Sequence, residues 1–482
     1  MPRSRGSMAS SSRPQAWLPG NDPGPEALLR AAEQIGHAIG GRAASAPRCA
    51  EPTWTALPVR SVASPSPHER RAALERALAW AKGAGASWDG IEFPIDADGN
   101  ASARACRDLS RGEPILTIPR RLMIIDNELG GSATGRDALA AWLPLEARDP
   151  TSRWRAHLDA QPAHLAELPM FHDEADLAQL AGTTAYELAA DDARAVRSRY
   201  AQLSPELRER ISLAEFAWGC AIVTSRAFHA PGSVEPRIAL LPIVDFMNHR
   251  LGDTTWSYDP KAAMFVVTTE RTFAIGDEVH FSYGDRSNTH LFVHYGFTEP
   301  NNAVSEAGLL FERASDPVVA VAAHLLWRLP LDAAPRMRVA CRVDHRFLRA
   351  LSLARLHAAS PADRARASEA GLGPDGDIPW LGGSIEEGAF AVLAAAARRS
   401  LELLDAHAPR ASDTAWDRSC AIVRSGERSV LESIIELASA VRVHLCEGDP
   451  ARVRAAADAI PVDEPGAPRL LRQYLRALAD AL

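Results

Sequence analysis

The sequence is poor in cysteine, and its cysteines are not arranged to bind zinc. Six cysteines are scattered over 482 residues, and no two of them form a C-x2-C pair. Cysteine-based zinc sites are built from such closely spaced pairs. We therefore expect free thiols, as in a protein of a reducing compartment, and no metal site.

The sequence also lacks long basic runs and long apolar runs. Its formal net charge is -8 and 24% of its residues are charged, which argues against the broad positive surface that binds nucleic acids. No segment approaches the roughly 18 consecutive apolar residues of a membrane-spanning helix. These absences predict a soluble, monomeric, cytoplasmic protein with no nucleic-acid or membrane partner.

The length and the apolar content are those of a two-domain protein. A chain of 482 residues, 46% of them hydrophobic, can fill two ordinary cores. Residues 1–66 carry clusters of Ser, Pro and Gly that end in Ser64-Pro65-Ser66-Pro67, which predicts a disordered N-terminal extension. A helix is predicted directly afterwards, over residues 68–82.

Residues 67–305 are predicted to form an α+β domain. Short apolar runs separated by turn residues predict short strands, and two of these runs predict a hairpin. Apolar positions three and four residues apart predict helices over 133–225, so that a helical insert of about residues 130–235 divides the strands into two groups. The predicted strands lie at 91–95, 101–106, 114–118, 238–244, 254–258, 263–269 and 279–283.

The remainder of the chain, residues 306–482, is predicted to form an all-α domain. Helical spacing of apolar residues continues almost to the C-terminus, and Ser384-x-x-Glu387 has the form of a capping box that opens a helix through Leu404. A basic stretch in this domain is interpreted as a solvated helix face or a surface for an acidic partner. Its members are Arg336, Arg338, Arg342, Arg346 and Arg349.

Polar side chains follow an apolar run at residues 240–249. The run from Leu240 to Val244 is followed by Asp245, Asn248 and His249. A strand that ends in such residues presents several hydrogen-bonding groups at one edge, which is a common way to build a polar pocket. Alternatively, the asparagine only caps a turn.

A second polar segment, F-S-Y-G-D-R-S-N, occupies residues 281–288. By itself it is consistent with Tyr283 packed in a core and with Ser287-Asn288 as a helix cap. His290 and His294 follow at a spacing of four residues and would share a helix face. Because no third ligand is apparent, core or surface histidines are favoured over a metal site.

Taken together, the two segments resemble the SET-domain protein methyltransferases, in the branch of the Rubisco large-subunit lysine methyltransferase and the actin-histidine methyltransferase. This family carries a D-x-x-N-H segment followed by an F-x-Y-G-x-x-S-N segment, which stand here at 245–249 and 281–288. The resemblance extends to residues 105–119, to Ser225-Arg226-Ala227-Phe228 and to the Gly276-Asp277-Glu278 turn.

The resemblance implies that the two segments cross in a pseudoknot around S-adenosylmethionine. The Asn248 side chain and the His249 backbone would hold the amino-acid part of this cofactor, and Asp245 would support their loop. Arg286 could equally be a solvated surface residue, and Asn288 only a helix cap. The implied cofactor-binding residues are Arg104, Arg226, Asp245, Asn248, His249, Tyr283 and Arg286.

Tyr283 is the implied catalytic residue. Its phenol would orient the acceptor amine of a protein substrate and the methyl group through ordinary and C–H···O hydrogen bonds. A lysine with its unperturbed pKa of about 10.4 is charged at pH 7, so burial near Tyr283 has to favour the neutral amine. Solvent could then accept the proton.

Two departures from the family pattern bear on function. Residues 99–103 replace a Gly-x-Gly type turn that lets the backbone approach the cofactor closely, which leaves open a SET-like binding module without turnover. After Arg226, the pair Ala227-Phe228 is like the lysine-modifying members and unlike the polar pair of the actin-histidine enzyme. We therefore expect a protein-lysine N-methyltransferase, with a protein-histidine N-methyltransferase as the alternative.

Overall fold

The computed structural model describes residue 32 and residues 54–97, 100–129, 135–230, 237–331, 333–370, 377–407, 414–445, 449–460 and 467–481. Most of the predicted N-terminal extension, residues 1–66, and Gly99 of the opening segment lie outside the described residues. The four cysteines among the described residues are free thiols.

The N-terminal domain begins with the predicted helix, α1 (Pro67–Gly83). The Ser66 hydroxyl accepts a hydrogen bond from the Glu69 backbone N–H, and the Glu69 carboxylate accepts one from the Ser66 backbone N–H at 2.8 Å. This reciprocal capping fixes the start of the helix. Five short strands follow: β1 (Ser87–Trp88), β2 (Ile91–Glu92), β3 (Arg104–Ala105), β4 (Pro114–Pro119) and β5 (Ile124–Ile125).

The helical insert separates two groups of strands, as predicted. Its helices are α2 (Arg136–Glu146), α3 (Arg155–Asp159), α4 (Glu174–Leu177), α5 (Thr184–Gln202), α6 (Pro205–Arg210) and α7 (Leu213–Arg226). A Cβ at Gly219 would lie 2.0 Å from the carbonyl oxygen of Ala140. Only a glycine at this position therefore allows α2 and α7 to approach so closely. This packing buries most of α7.

The strands and one helix that follow the insert complete the N-terminal domain. They are β6 (Ala227–His229), β7 (Ile238–Leu240), β8 (Thr254–Asp259), β9 (Met264–Thr269) and α8 (Asn288–Tyr295). The predicted hairpin is confirmed, because β8 and β9 pair in antiparallel register. The strand orders are β1-β4-β9-β8 in one sheet and β5-β7-β6 in another.

Two predicted strands differ in the structure. The strand predicted over 238–244 ends at Leu240, because Pro242 has no N–H to donate to a ladder and the chain then turns. The strand predicted over 279–283 forms only isolated bridges. Its backbone N–H groups donate to two separate loops, from Val279 to Ala103 and from Phe281 to Asn248.

The C-terminal region is helical, as predicted, except for one two-stranded sheet. Strands β10 (Glu306–Leu310) and β11 (Arg336–Ala340) pair in antiparallel register, so the prediction of an all-α domain is wrong there. Each strand is only five residues long, which is too short for residue spacing alone to distinguish a strand from a helix. The helices are α9 (Pro317–Trp327), α10 (His345–Ala358), α11 (Pro361–Ala370), α12 (Gly383–Ala406), α13 (Ala415–Leu445), α14 (Pro450–Ala459) and α15 (Ala467–Ala481).

Two further predictions for this region are corrected. The basic stretch is not one helix face, because Arg336 and Arg338 lie on β11 and Arg346 lies on α10. The cap of α12 is Gly382, which has no side chain to bond, and not Ser384. No helix among the described residues is long and apolar enough to cross a membrane.

A buried carboxylate joins the C-terminal region to the insert. Glu427 on α13 accepts hydrogen bonds from the Thr184 backbone N–H (2.9 Å) and hydroxyl (3.1 Å) at the start of α5. It also accepts from the Thr289 hydroxyl of α8 at 3.2 Å. Burial raises the pKa of Glu427 to about 7. The C-terminal region is therefore docked next to α8, directly after the second polar segment.

Part of the segment predicted as a disordered extension packs against the insert. Leu57 is buried, and its backbone N–H donates to the Met170 carbonyl oxygen at 2.9 Å. The Trp54 indole N–H donates to the His172 carbonyl oxygen at 3.0 Å. The prediction for residues 1–66 therefore does not hold for residues 54–57.

Candidate active site

Two loops of the N-terminal domain cross each other. A parallel bridge joins His249 to Phe281. The Phe281 backbone N–H donates to the Asn248 carbonyl oxygen at 2.8 Å, and the Arg250 N–H donates to the Phe281 carbonyl oxygen at 3.3 Å. The two polar segments of the sequence are thus held together by backbone hydrogen bonds, as their predicted crossing requires.

A strained turn leads into the first of these loops. Ile243 has a φ of 73°, in the left-handed region that a β-branched residue rarely adopts. Such a conformation costs about 1–3 kcal/mol and persists only where its surroundings fix it; here the Ile243 side chain is completely buried. The turn feeds a short 3-10 helix, Val244–Phe246, that carries Asp245.

Asp245 is a buried carboxylate that three side chains surround. Its Oδ2 accepts from Gln161 Nε2 at 3.0 Å and lies 3.7 Å from Arg226 Nη1 and 3.8 Å from His157 Nε2. Arg226 Nη1 also donates to the Asp245 carbonyl oxygen at 2.7 Å. Burial lowers the pKa of His157, so this imidazole is neutral and Arg226 supplies the compensating positive charge.

The sequence did not indicate two members of this cluster. His157 is completely buried and Gln161 is 5% exposed, and both come from the insert, far along the chain from Asp245. Their only sequence signal is a spacing of four residues, which polar residues on any helix face share. The helical insert therefore contributes directly to the site.

Asn248 and His249 have well-defined partners. Asn248 Nδ2 donates to Glu278 Oε1 at 2.7 Å, which brings the predicted Gly276-Asp277-Glu278 turn into the site. The Tyr283 backbone N–H donates to His249 Nδ1 at 3.0 Å. Because this nitrogen accepts, the His249 ring carries its proton on Nε2. Burial lowers the pKa of His249, which keeps the ring neutral.

Tyr283 lies within an aromatic cluster. Its ring stacks on His249 at 4.9 Å and on Tyr295 at 5.0 Å between centroids, and it meets Phe297 edge-on at 6.5 Å. The phenol donates to the Met247 carbonyl oxygen at 2.8 Å. Burial raises the pKa of Tyr283 to about 12. The phenol is therefore neutral at pH 7, and its oxygen keeps lone pairs free to accept hydrogen bonds.

These side chains line a common cavity of about 1130 Å³. This volume is slightly above the range of roughly 300–1,000 Å³ that ligand pockets span, so it has room for a cofactor and a substrate side chain. The predicted site residues in its wall are Arg226, Asp245, Asn248, His249, Tyr283 and Arg286.

Arg104 is the one predicted site residue that does not reach the cavity. Its side chain is exposed, and Nη1 donates to the Gly276 carbonyl oxygen at 2.8 Å. Arg104 thus contacts this turn, and its predicted contact with the cofactor stays a prediction. Arg286 lines the cavity, where its Nε donates to the Tyr283 carbonyl oxygen at 3.2 Å. Asn288 is not the helix cap, since Ser287 caps α8.

Two histidines of α8 also line the cavity. His294 Nδ1 lies 3.2 Å from His290 Nδ1, and His294 Nε2 lies 3.2 Å from Asp192 Oδ2. Burial, with a smaller contribution from His294, lowers the pKa of His290 to about 2. In the part of the chain that the structure describes, no group of three or more His, Cys, Asp or Glu side chains could hold a metal ion.

The sequence has relatives among enzymes that modify actin. No protein-family model matches the chain. It is 28% identical to the actin-histidine N-methyltransferase of Drosophila melanogaster over 314 residues, 57% of this chain and 58% of that protein. It is 26% identical to the Mus musculus enzyme of the same name over 278 residues, 52% of this chain and 47% of that protein. The chain thus spans about half the length of these relatives.

Solved structures share the fold. The SET domain of LSMT bound to lysine and AdoHcy matches with a TM-score of 0.60 at 18% identity, over 78% of this chain and 92% of that chain. Rubisco LSMT bound to AdoMet matches with a TM-score of 0.57, over 77% of this chain and 93% of that chain. The predicted resemblance is therefore confirmed: the chain is similar in sequence to actin-histidine N-methyltransferases and shares the fold of the SET domain of LSMT.

Proposed function

We propose that this protein transfers a methyl group from S-adenosylmethionine to a side-chain nitrogen of a protein substrate. The observation that carries this proposal is the convergence of Asn248, His249 and Tyr283, from two crossing loops, on one cavity. The names of the sequence relatives and the AdoMet or AdoHcy bound in the structural neighbours support the same activity and cofactor.

The polar end of the cavity suits the amino-acid part of this cofactor. Arg226 Nε and Asp245 Oδ1 are buried and have no hydrogen-bond partner among the described residues. Buried polar atoms are nearly always paired, and a ligand with an ammonium and a carboxylate group offers partners to both. The Asn248 amide and the Glu278 carboxylate add a further donor and acceptor in the same wall.

S-adenosylmethionine supplies an electrophilic methyl group when it is bound. An in-line displacement then requires that the acceptor nitrogen be aligned and neutral. Tyr283 aligns it, because the phenol proton is engaged by Met247 and the phenol oxygen accepts from an N–H of the acceptor. Tyr295 and Phe297 pack around this phenol and exclude water, which favours the uncharged amine.

We infer that the acceptor is lysine. Ala227 and Phe228 line the cavity on β6, and Phe228 packs edge-on against Phe281 at 5.5 Å. Neither side chain offers a polar group to an imidazole nitrogen. An aromatic wall of Phe228, Trp256 and Tyr283 suits the aliphatic stem of lysine.

Histidine is the second candidate, and the sequence similarity to actin-histidine N-methyltransferases favours it. A third possibility is a SET-like binding module without turnover, which the missing glycines near residues 99–103 suggest. The presence of Tyr283, Asn248 and His249 in one cavity argues against such a module, because each of them has a role in the proposed cofactor binding or transfer.

Purified protein incubated with S-[methyl-3H]adenosylmethionine and heat-treated extract of the source cells tests these alternatives. We expect labelled protein bands that release methyllysine after acid hydrolysis. Methylhistidine in the hydrolysate would identify histidine as the acceptor. Cofactor binding without label would support a binding module, and absence of both binding and label would contradict the proposed function.

A further inference from the structure

We propose that His290, His294 and Asp192 form a relay that carries a proton from the acceptor nitrogen to solvent. This inference rests on the proposed function, since a lysine acceptor is charged in water and has to lose a proton before transfer. None of the three side chains belongs to the two polar segments that cross at Tyr283.

The three side chains form one continuous chain of contacts. His290 and His294 line the cavity, and their Nδ1 atoms are 3.2 Å apart. His294 Nε2 is 3.2 Å from Asp192 Oδ2 on α5. The side chain of His294 is 16% exposed and that of Asp192 is 37% exposed. The chain therefore leads from the wall of the cavity to the solvent.

The carboxylate determines where the protons of this chain lie. An ionised carboxylate only accepts hydrogen bonds, so the relay requires His294 to present its Nε2–H to Asp192 and to keep its Nδ1 as an acceptor. The hydrogen bond between the two Nδ1 atoms needs one proton. Because His294 Nδ1 accepts, His290 carries this proton on its Nδ1. His290 Nε2 is left as an acceptor on the ring that lines the cavity.

His290 is placed near the reacting end of the cavity. Its ring is 6.0 Å from the ring of Tyr295, which stacks on Tyr283 at 5.0 Å. Water in the cavity that both His290 and Tyr283 line can therefore connect the acceptor nitrogen to His290 Nε2.

The surrounding charges prevent a positive charge from resting on His290. Arg286 from the crossing loop, Arg338 on β11 and Arg346 on α10 face it, in addition to His294. On the other side of the relay, Arg136 on α2 interacts with Asp192. His290 therefore passes a proton on without storing it, and the charge is held beside the Asp192 carboxylate.

The proton transfer is balanced as follows. An N–H bond of the substrate ammonium breaks, and an N–H bond forms at His290 Nε2. At the same time the His290 Nδ1–H bond breaks and an N–H bond forms at His294 Nδ1. His294 becomes an imidazolium paired with Asp192, and it releases its extra proton to water. After the product leaves, the reverse shift restores the starting tautomers: His290 gives its Nε2–H to water in the open cavity, His294 returns its Nδ1 proton to His290 Nδ1, and His294 Nε2 takes a proton from solvent.

The first test is independent of activity. In protein labelled with 15N-histidine, long-range 1H–15N spectra distinguish the two neutral tautomers of each imidazole. Loss of one spin system in His290→Asn and another in His294→Asn assigns the signals. We expect the Nδ1–H tautomer for His290 and the Nε2–H tautomer for His294 in the free protein. An Nε2–H tautomer at His290 would overturn the relay.

The second test is the pH dependence of label transfer to extract proteins. We expect His294→Asn and Asp192→Asn to lower the rate about tenfold at pH 7, at the low end of general acid–base effects. At pH 9.5 the deficit should shrink to about twofold, because more of the substrate amine is already neutral. Asp176→Asn is the matched control, since Asp176 pairs with His172 at 3.0 Å away from the cavity; its rate should equal that of the wild type.

The outcomes separate the relay from the function on which it rests. A deficit of the same size at every pH would indicate a purely structural role and would overturn the relay. A wild type that binds S-adenosylmethionine but transfers no label would overturn the proposed function, and the relay with it, whatever the tautomers are.

Discussion

Replacing Tyr283 with phenylalanine is expected to lower kcat at least about a hundredfold, in line with the loss of a positioned hydrogen-bonding group at a reacting centre. The phenol oxygen is the group that we assign to alignment of the acceptor nitrogen. The ring itself remains, together with its stacking on His249 and Tyr295. Cofactor affinity should therefore stay within about threefold of the wild type, because the loss concerns transfer and not binding.

Label transfer under saturating S-adenosylmethionine measures this effect, and denaturant unfolding excludes a folding defect. Loss of the hydrogen bond to the Met247 carbonyl oxygen should cost only about 1 kcal/mol of stability. Tyr258→Phe is the matched control, since Tyr258 lies on β8 and outside the lining of the cavity. A Tyr283→Phe rate close to that of wild type would show that the phenol does not align the acceptor.

Replacing Arg226 with methionine is expected to lower the free energy of unfolding by about 3 kcal/mol, because it leaves a buried charge without its compensating partner. The Asp245 side chain is 1% exposed, and Arg226 Nη1 lies 3.7 Å from its carboxylate. The neutral neighbours His157 and Gln161 cannot replace the positive charge. Urea unfolding at pH 7 measures the loss.

Two further variants make this prediction specific. Adding Asp245→Asn to Arg226→Met should restore much of the lost stability, since both charges are then gone. Arg194→Met should leave stability unchanged, because Arg194 pairs with Asp191 at the surface, with side chains 61% and 62% exposed. A single Arg226→Met variant as stable as the wild type would show that Asp245 does not depend on this cation.

The helices and the β8–β9 hairpin could be predicted because their periodicity and turn residues agree. The end of β7 could not, because it depends on Pro242 and on the left-handed conformation of Ile243, which tertiary packing imposes. Strands β10 and β11 were missed because each is only five residues long, although Arg336, Met337, Arg338 and Val339 of β11 alternate between polar and apolar.

The residues of the site also fall into those that could be predicted from the sequence and those that could not. Asn248, His249 and Tyr283 could be placed together because their motifs resemble a known family in the correct order. His157 and Gln161 could not, since their contact with Asp245 exists only after the insert has folded against the crossing loops. Asp192 lies about a hundred residues before His294 in the sequence, so only the fold brings the two together.

The central claim is that the cavity between the crossing loops binds S-adenosylmethionine, and calorimetric titration tests it most directly. We expect one binding site in the wild type and about tenfold weaker binding in Asn248→Ala, since a hydrogen bond to a charged group contributes about 1.5–3 kcal/mol. Asn127→Ala, at an exposed position outside the lining of the cavity, should bind like the wild type. A wild type that binds no S-adenosylmethionine, or an Asn248→Ala variant that binds it unchanged, would contradict the account.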